Sequence, residues 1–190
     1  MDKKKRLLLV ALSPARERLV REEPTLVRDL LVERAKAPIP ASLELDDQWV
    51  ELQRALFDFL WLSGVDDARA EALTPRRGLS VYEDRSVDSS RIVPLEQCVA
   101  TAEWVLALPP DCVERARRSR SPSPASRIFP ESLGTSEADD HERVREGTTV
   151  FAKKNHYDDR TLTLTLERVR AFYADIQRTN RAVLAIRFRE

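Results

Sequence analysis

Apolar residues follow two patterns along the chain, short continuous runs and stretches with helical spacing. The run Leu7–Leu12 is continuous, which is typical of a strand buried in a sheet. The closing segment Ala182–Phe188 is also mostly apolar and predicts a second strand. Leu79–Tyr82 and Arg91–Val93 predict two further short strands around a polar connector. Strands are therefore expected near both ends of the chain.

Several segments between these strands have apolar residues at steps of three and four, which predicts helices. Ser13 and Pro14 are suited to the N-cap and the first position of one helix. Asp46 or Asp47 is expected to cap a central helix that ends near Gly64. The main apolar face of that helix consists of Trp49, Leu52, Leu56, Phe59 and Leu60.

The C-terminal third contains the clearest amphipathic helix. Burying its six apolar residues would contribute about 9–18 kcal/mol of gross transfer free energy, so the helix must pack inward. Thr179 and Asn180 are expected to end it. The segment Thr161–Leu166 also alternates strictly, so a strand remains an alternative for the first turn. The apolar residues are Leu162, Leu166, Val169, Phe172, Tyr173 and Ile176.

These elements predict a helix-rich α+β fold. A chain of 190 residues is long enough to bury a substantial core, and one domain is the expected organisation. We therefore expect a single domain over residues 1–190. Its small mixed sheet is predicted to include the N- and C-terminal strands.

Charge and cysteine content limit the partners and the compartment. The chain has 32 Lys and Arg against 32 Asp and Glu, so its net charge is zero and its overall field would not attract nucleic acid. The basic start of the chain followed by Leu7–Leu12 imitates a signal peptide, but six apolar residues are fewer than the usual 7–15. No stretch approaches the roughly 20 apolar residues of a membrane span. With two cysteines and no disulfide framework, a cytoplasmic location is expected.

Three segments resemble a known family. They are Leu43-x-Leu-Asp46-x-x-Trp49-x-x-Leu52, Ile128-Phe-Pro130, and the run from Leu166 to Phe188. Together they are similar to the YfbM-like family of small bacterial proteins, whose function is not established. The resemblance implies a single α+β domain in a bacterial cytoplasm and no known activity. The chain departs from the family at Gln53, where a histidine is often found, and at Leu56-Phe-Asp58, where Leu-Thr-Gly is common.

Two groups of residues are candidates for binding. Asp46 and Trp49 could line a pocket at the helix start, although an N-cap beside a core tryptophan explains the same residues. The second group is a basic cluster, which could be a solvated helix end or could contact an acidic protein surface or phosphates. No aromatic residue lies within it to stack on bases, which argues against nucleic acid. The cluster consists of Arg115, Arg117, Arg118, Arg120 and Arg127.

Known catalytic motifs are missing from the sequence. Four glycines form neither a P-loop nor a dinucleotide-binding fingerprint, and no Gly-x-Ser-x-Gly occurs. Cys98 is expected to be a small core residue, and Cys112, at a helix N-terminus, could have a lowered pKa. His141 and His156 lie among carboxylates, but their spacing matches no metal motif. No cofactor and no metal are expected.

The sequence therefore favours a non-catalytic, cytoplasmic domain whose partner is another protein. A toxin-neutralising immunity protein is one concrete form of this role. The alternative is an enzyme of unrecognised type that uses His141, His156, Asp158 and Asp159. The oligomeric state is left open by the sequence.

Overall fold

A five-stranded antiparallel sheet organises the part of the chain that the computed structural model describes, residues 5–63, 78–118 and 157–189. The elements in chain order are β1 (Lys5–Leu12), α1 (Pro14–Glu22), α2 (Leu26–Lys36), β2 (Ser42–Leu45), α3 (Gln48–Leu62), β3 (Leu79–Tyr82), β4 (Val87–Val93), α4 (Leu95–Ala107), α5 (Cys112–Arg118), α6 (Asp159–Thr179) and β5 (Ala182–Arg189). The predicted α+β class and the presence of both terminal strands in one sheet are confirmed.

The strand order is β2-β1-β5-β4-β3. β1 and β5 are central and pair along their whole length, from Lys5 opposite Arg189 to Leu12 opposite Ala182. Their continuous apolar runs are explained by this position, because both faces of a central strand are covered. All four strand pairings are antiparallel. The sheet is therefore antiparallel, whereas a mixed sheet was predicted.

Helices cover both faces of the sheet and give three layers. On one face, Val20 of α1 and Val27 and Leu30 of α2 pack against Leu8 and Val10 of β1. On the other face, α3, α4, α5 and α6 pack over the odd-numbered β1 residues such as Leu7 and Leu9. Alternating β1 side chains thus belong to two separate cores.

The ends of α1 and α6 follow from local hydrogen bonding. Ser13 Oγ accepts from the Arg16 amide at 3.3 Å, which confirms the predicted N-cap. Asp158 caps α6 by accepting from the Thr161 amide at 2.6 Å. Asn180 ends α6 in the left-handed region at φ 50°, as predicted. The strand alternative for residues 161–166 is therefore wrong, and all six predicted apolar residues of α6 are buried.

Two strands differ from the prediction: β2 was not predicted, and β4 is longer than predicted. β2 was not expected, because four residues give too short an alternation to recognise, yet Leu43 and Leu45 are buried and Leu45 pairs with Leu7. β4 begins at Val87, four residues before the predicted start. Among the described helices, none is long and apolar enough to cross a bilayer.

Candidate functional site: the polar network at the start of α3

Polar residues from the sheet and from helices on both of its faces converge where β2 leads into α3. Asp46 and Asp47 lie between the two elements, and their carbonyl oxygens accept from the amides of Trp49 at 3.0 Å and Val50 at 3.1 Å. Their carboxylates contact Arg6 and Tyr157. Among the described hydrogen bonds, neither carboxylate caps α3, which differs from the expected role. The two aspartates instead connect distant parts of the chain.

One branch of the network runs from Asp46 into the α2 layer. Arg6 Nη1 lies 3.5 Å from Asp46 Oδ1 and 2.6 Å from Glu44 Oε1. Arg34 Nε donates to Glu44 Oε2 at 2.8 Å, and its guanidinium carbon lies 5.1 Å from the Phe188 ring centroid. The Arg34 hydrogen bond is the largest cause of a lowered pKa at Glu44, despite its partial burial. Glu44 therefore stays ionised and joins β1, β2 and α2.

The second branch runs from Asp47 to the start of α6. The Tyr157 hydroxyl donates to Asp47, and the Tyr157 amide donates to Glu51 Oε2 at 3.1 Å. Burial, with the Asp47 hydrogen bond second, raises the pKa of Tyr157 above its usual range. Arg117 Nη1 donates to the Tyr157 carbonyl and to Asp159 Oδ1, both at 2.6 Å. Tyr157 is therefore a neutral hydrogen-bond donor. The hydrogen bonds of Arg117 connect α5 to the start of α6.

Beneath this network, two buried polar atoms have no hydrogen-bond partner among the described residues. Trp49 and Gln53 occupy successive turns of α3 and are both buried, and Trp49 packs in the core. Within the described part of the chain, the indole Nε1–H of Trp49 has no acceptor and the amide Oε1 of Gln53 has no donor. A buried polar group left unsatisfied costs about 1–3 kcal/mol. The candidate residue Trp49 therefore lies in the core, with an unpaired N–H.

Replacing Gln53 with methionine is expected to raise the free energy of unfolding by about 1 kcal/mol. Methionine has a similar shape and removes the buried carbonyl that has no donor. Urea unfolding of the wild type and of Gln53→Met measures the change. Gln53→Glu, which buries a charge in the same shape, is the control and should be strongly destabilised. A loss of stability in Gln53→Met would show that the amide contributes a favourable contact.

The predicted arginine cluster is divided by the structure. Arg115 and Arg118 point outward, with 63% and 78% of their side chains exposed. Arg115 pairs with Asp111, just before α5, and Arg118 pairs with Glu114 within α5. Arg117 instead belongs to the network described above. Arg120 and Arg127 lie outside the described residues, so the cluster as a whole stays a prediction. Of the predicted cluster, the described residues that form an exposed basic surface are Arg115 and Arg118, on the outer face of α5.

The other residues considered for chemistry are buried, cap a helix or form an ion pair, where the structure describes them. Burial raises the pKa of Cys98 to about 12 and also raises that of Cys112, so the lowered pKa considered for Cys112 is wrong. Asp158 caps α6, and Asp159 pairs with Arg117. Within residues 5–63, 78–118 and 157–189, no three His, Cys, Asp or Glu residues come together as a metal site would require. His141 and His156 lie outside those ranges.

Several members of the network had not been identified from sequence. Tyr157 and Asp47 are 110 residues apart, and Arg6 and Glu44 are 38 apart. One local signal was the four-residue spacing of Asp47, just before α3, and Glu51, in its first turn. The other contacts depend on how the sheet brings the elements together.

The fold has a counterpart among solved structures. The chain is similar to YfbM from Escherichia coli, a protein of unknown function, with a TM-score of 0.55 over 96% of this chain and 99% of that chain. The identity is 12%, so the likeness concerns the fold alone. The chain has a YfbM-like fold, as the sequence resemblance implied. No family model matches the chain. No curated protein matches it either.

Proposed function

We propose that the protein is a non-catalytic, cytoplasmic protein-binding domain that contacts its partner through the outer face of α5. The observation that carries this proposal is the pair Arg115 and Arg118. They are three residues apart, so they share one side of the helix, and both are mostly exposed. The complementary partner is a protein with an acidic surface.

The present ion pairs of these arginines are easily exchanged. Each pairs with a carboxylate four residues earlier, Asp111 just before α5 and Glu114 within it, and exposed pairs with this spacing contribute only about 0.3–0.5 kcal/mol. A carboxylate on a partner could replace Glu114 beside Arg118 at little cost. Arginine is also enriched in protein interfaces, where its planar guanidinium binds carboxylates in a bidentate manner.

The opposite side of α5 from these arginines packs against the core. Cys112, Val113 and Ala116 are buried against the core, and Arg117 anchors α5 to residues 157 and 159. A surface that is already rigid loses less conformational entropy when a partner binds. This supports α5 as a recognition element.

A role without catalysis is supported by the use of the polar side chains. Tyr157 is kept neutral by burial and by Asp47, which raise its pKa. Burial keeps the Cys98 and Cys112 thiols protonated near neutral pH by raising their pKa values. A toxin-neutralising immunity protein is the specific form of this role that we propose, since it would act by stoichiometric binding. This last step is an argument from class, not from a site.

Affinity capture from lysate of the native cell tests the proposal. We expect the tagged wild type to recover a stoichiometric protein, and the double variant Arg115→Glu/Arg118→Glu to recover at least about tenfold less. Arg178→Glu is the matched control, because Arg178 is 79% exposed and pairs with Asp175 on its own helix. The control should recover as much partner as the wild type. Circular dichroism establishes that all three proteins are folded.

Two results would contradict the proposal. Equal recovery by the double variant would remove α5 as the contact surface. A turnover by the purified protein that disappears on one substitution would contradict the absence of catalysis and favour the enzyme alternative.

A further inference from the structure

Residues 13–40 leave the sheet after β1 and return to it at β2, and they contain α1 and α2. Since β1 and β2 pair directly with each other, this α1–α2 segment is an insertion between two neighbouring antiparallel strands. All of its residues are described, and none belongs to a strand. The segment can therefore move away from the sheet without breaking any of the four strand pairings.

Few buried side chains attach the α1–α2 segment to the sheet. α1 buries Val20, α2 buries Val27 and Leu30, and the buried Ile39 follows α2. On the other face, α6 alone buries seven residues. Thr25, the N-cap residue of α2, forms no side-chain capping hydrogen bond. Parts of a protein with few buried apolar contacts open locally at a lower free energy than the rest of its core, so local opening is expected here.

Arg34 connects the end of this segment to the sheet. Its Nε donates to Glu44 Oε2 of β2 at 2.8 Å, and only 15% of the Arg34 side chain is exposed. Its guanidinium carbon lies 5.1 Å from the ring centroid of Phe188 on β5. Arg6 of β1 fixes Glu44 from the sheet side, with Nη1 2.6 Å from Oε1. Charge-assisted hydrogen bonds are about twice as strong as neutral ones, so the Arg34–Glu44 pair holds the C-terminal end of α2 against β2.

We propose that the α1–α2 segment is a lid that opens and closes as one unit, and that the Arg34–Glu44 pair holds it closed. Beneath the lid lies an apolar face of the two central strands, which includes Leu8, Val10, Leu184 and Ile186. Opening exposes this face to solvent while α3, α4, α5 and α6 stay packed on the other face. Burial of the apolar face favours the closed lid, so the open lid is a minor state reached without global unfolding.

Native-state hydrogen exchange of the full chain, followed by mass spectrometry, tests the lid. We expect the amide hydrogens of residues 30–34 in α2 to exchange at least about tenfold faster than those of residues 169–173 in α6, because the α6 amides exchange only through global unfolding. Urea at concentrations below the unfolding transition should accelerate the exchange of α2 less steeply than that of α6, since a local opening exposes less surface.

Ile176→Val separates opening of the lid from global unfolding. Ile176 is 0% exposed in the core on the other face, and the loss of one methylene there should accelerate exchange of residues 169–173 by about two- to tenfold. Exchange of residues 30–34 should stay unchanged, because Ile176 remains packed when the lid opens. Equal acceleration of both groups would show that α2 opens only with the whole protein, and would overturn the lid.

Glu44→Gln tests the role of the ion pair. The variant keeps the shape of the side chain and removes the charge that Arg34 binds, so exchange of residues 30–34 should become about tenfold faster. Glu17→Gln is the matched control, because Glu17 pairs with Arg21 within α1, and it should change this exchange less than about twofold. Circular dichroism establishes that each variant is folded. Unchanged exchange of residues 30–34 in Glu44→Gln would contradict the proposed role of the pair.

Discussion

Replacing Leu166 with alanine is expected to lower the free energy of unfolding by about 3–5 kcal/mol, and the same change at Leu164 by less than about 0.5 kcal/mol. Leu166 is 0% exposed in the core, whereas Leu164 is 58% exposed. Alanine at residue 166 removes buried apolar contacts and leaves a cavity. At residue 164 it removes contacts mainly with water. Urea unfolding of the wild type and both variants measures the difference.

The comparison also tests the secondary structure of this segment. Residues two apart lie on roughly opposite sides of a helix but on the same face of a strand. A strand over residues 161–166 would therefore make the two alanine variants similar in stability. Similar losses at both positions would contradict the helix, and the expected difference would agree with α6 as observed.

The fold could be predicted as far as local patterns reach. The continuous run of β1 and the spacing of Leu162, Leu166 and Val169 are properties of adjacent residues, and they located the central strand and α6. β2 was missed because its four residues depend on pairing with β1 for their conformation. The prediction of a mixed sheet was wrong for a similar reason. Periodicity identifies a strand but does not specify its partner or its direction.

The candidate site could be predicted only in part. Asp46 lies in the network, but its contact is with Arg6, which belongs to a different strand. The arginines of α5 looked alike in sequence, although Arg117 differs from Arg115 and Arg118 by the side of the helix on which it lies. The lowered pKa considered for Cys112 was wrong because burial, which raises the pKa, outweighs the effect of a helix terminus. Burial depends on tertiary structure.

Replacing Arg170 with methionine is expected to lower the free energy of unfolding by about 2–3 kcal/mol. Arg170 of α6 donates to the carbonyls of Val105, at 3.4 Å, and Leu108, both at the C-terminal end of α4. It also donates to the Pro109 carbonyl at 3.4 Å. The last carbonyls of a helix have no partner within it, and the negative end of the helix dipole favours a cation. Methionine keeps the apolar stem and removes all of these donors.

Arg178→Met is the matched control for this measurement, since Arg178 is on the same helix but mostly exposed, and its loss should cost less than about 0.5 kcal/mol. Guanidinium unfolding followed by circular dichroism compares the two variants. Equal stability of Arg170→Met and the wild type would mean that water satisfies the α4 carbonyls equally well.

The position of Arg170 links this stability to the proposed interface. Leu108 and Pro109 lie just before α5, so the bonds from Arg170 fix the point from which that helix starts. Arg170→Met is therefore expected to weaken partner recovery as well, although it leaves Arg115 and Arg118 in place. Binding reduced in both Arg170→Met and the Arg115→Glu/Arg118→Glu variant, but not in Arg178→Met, would mean that the partner recognises α5 in one fixed orientation.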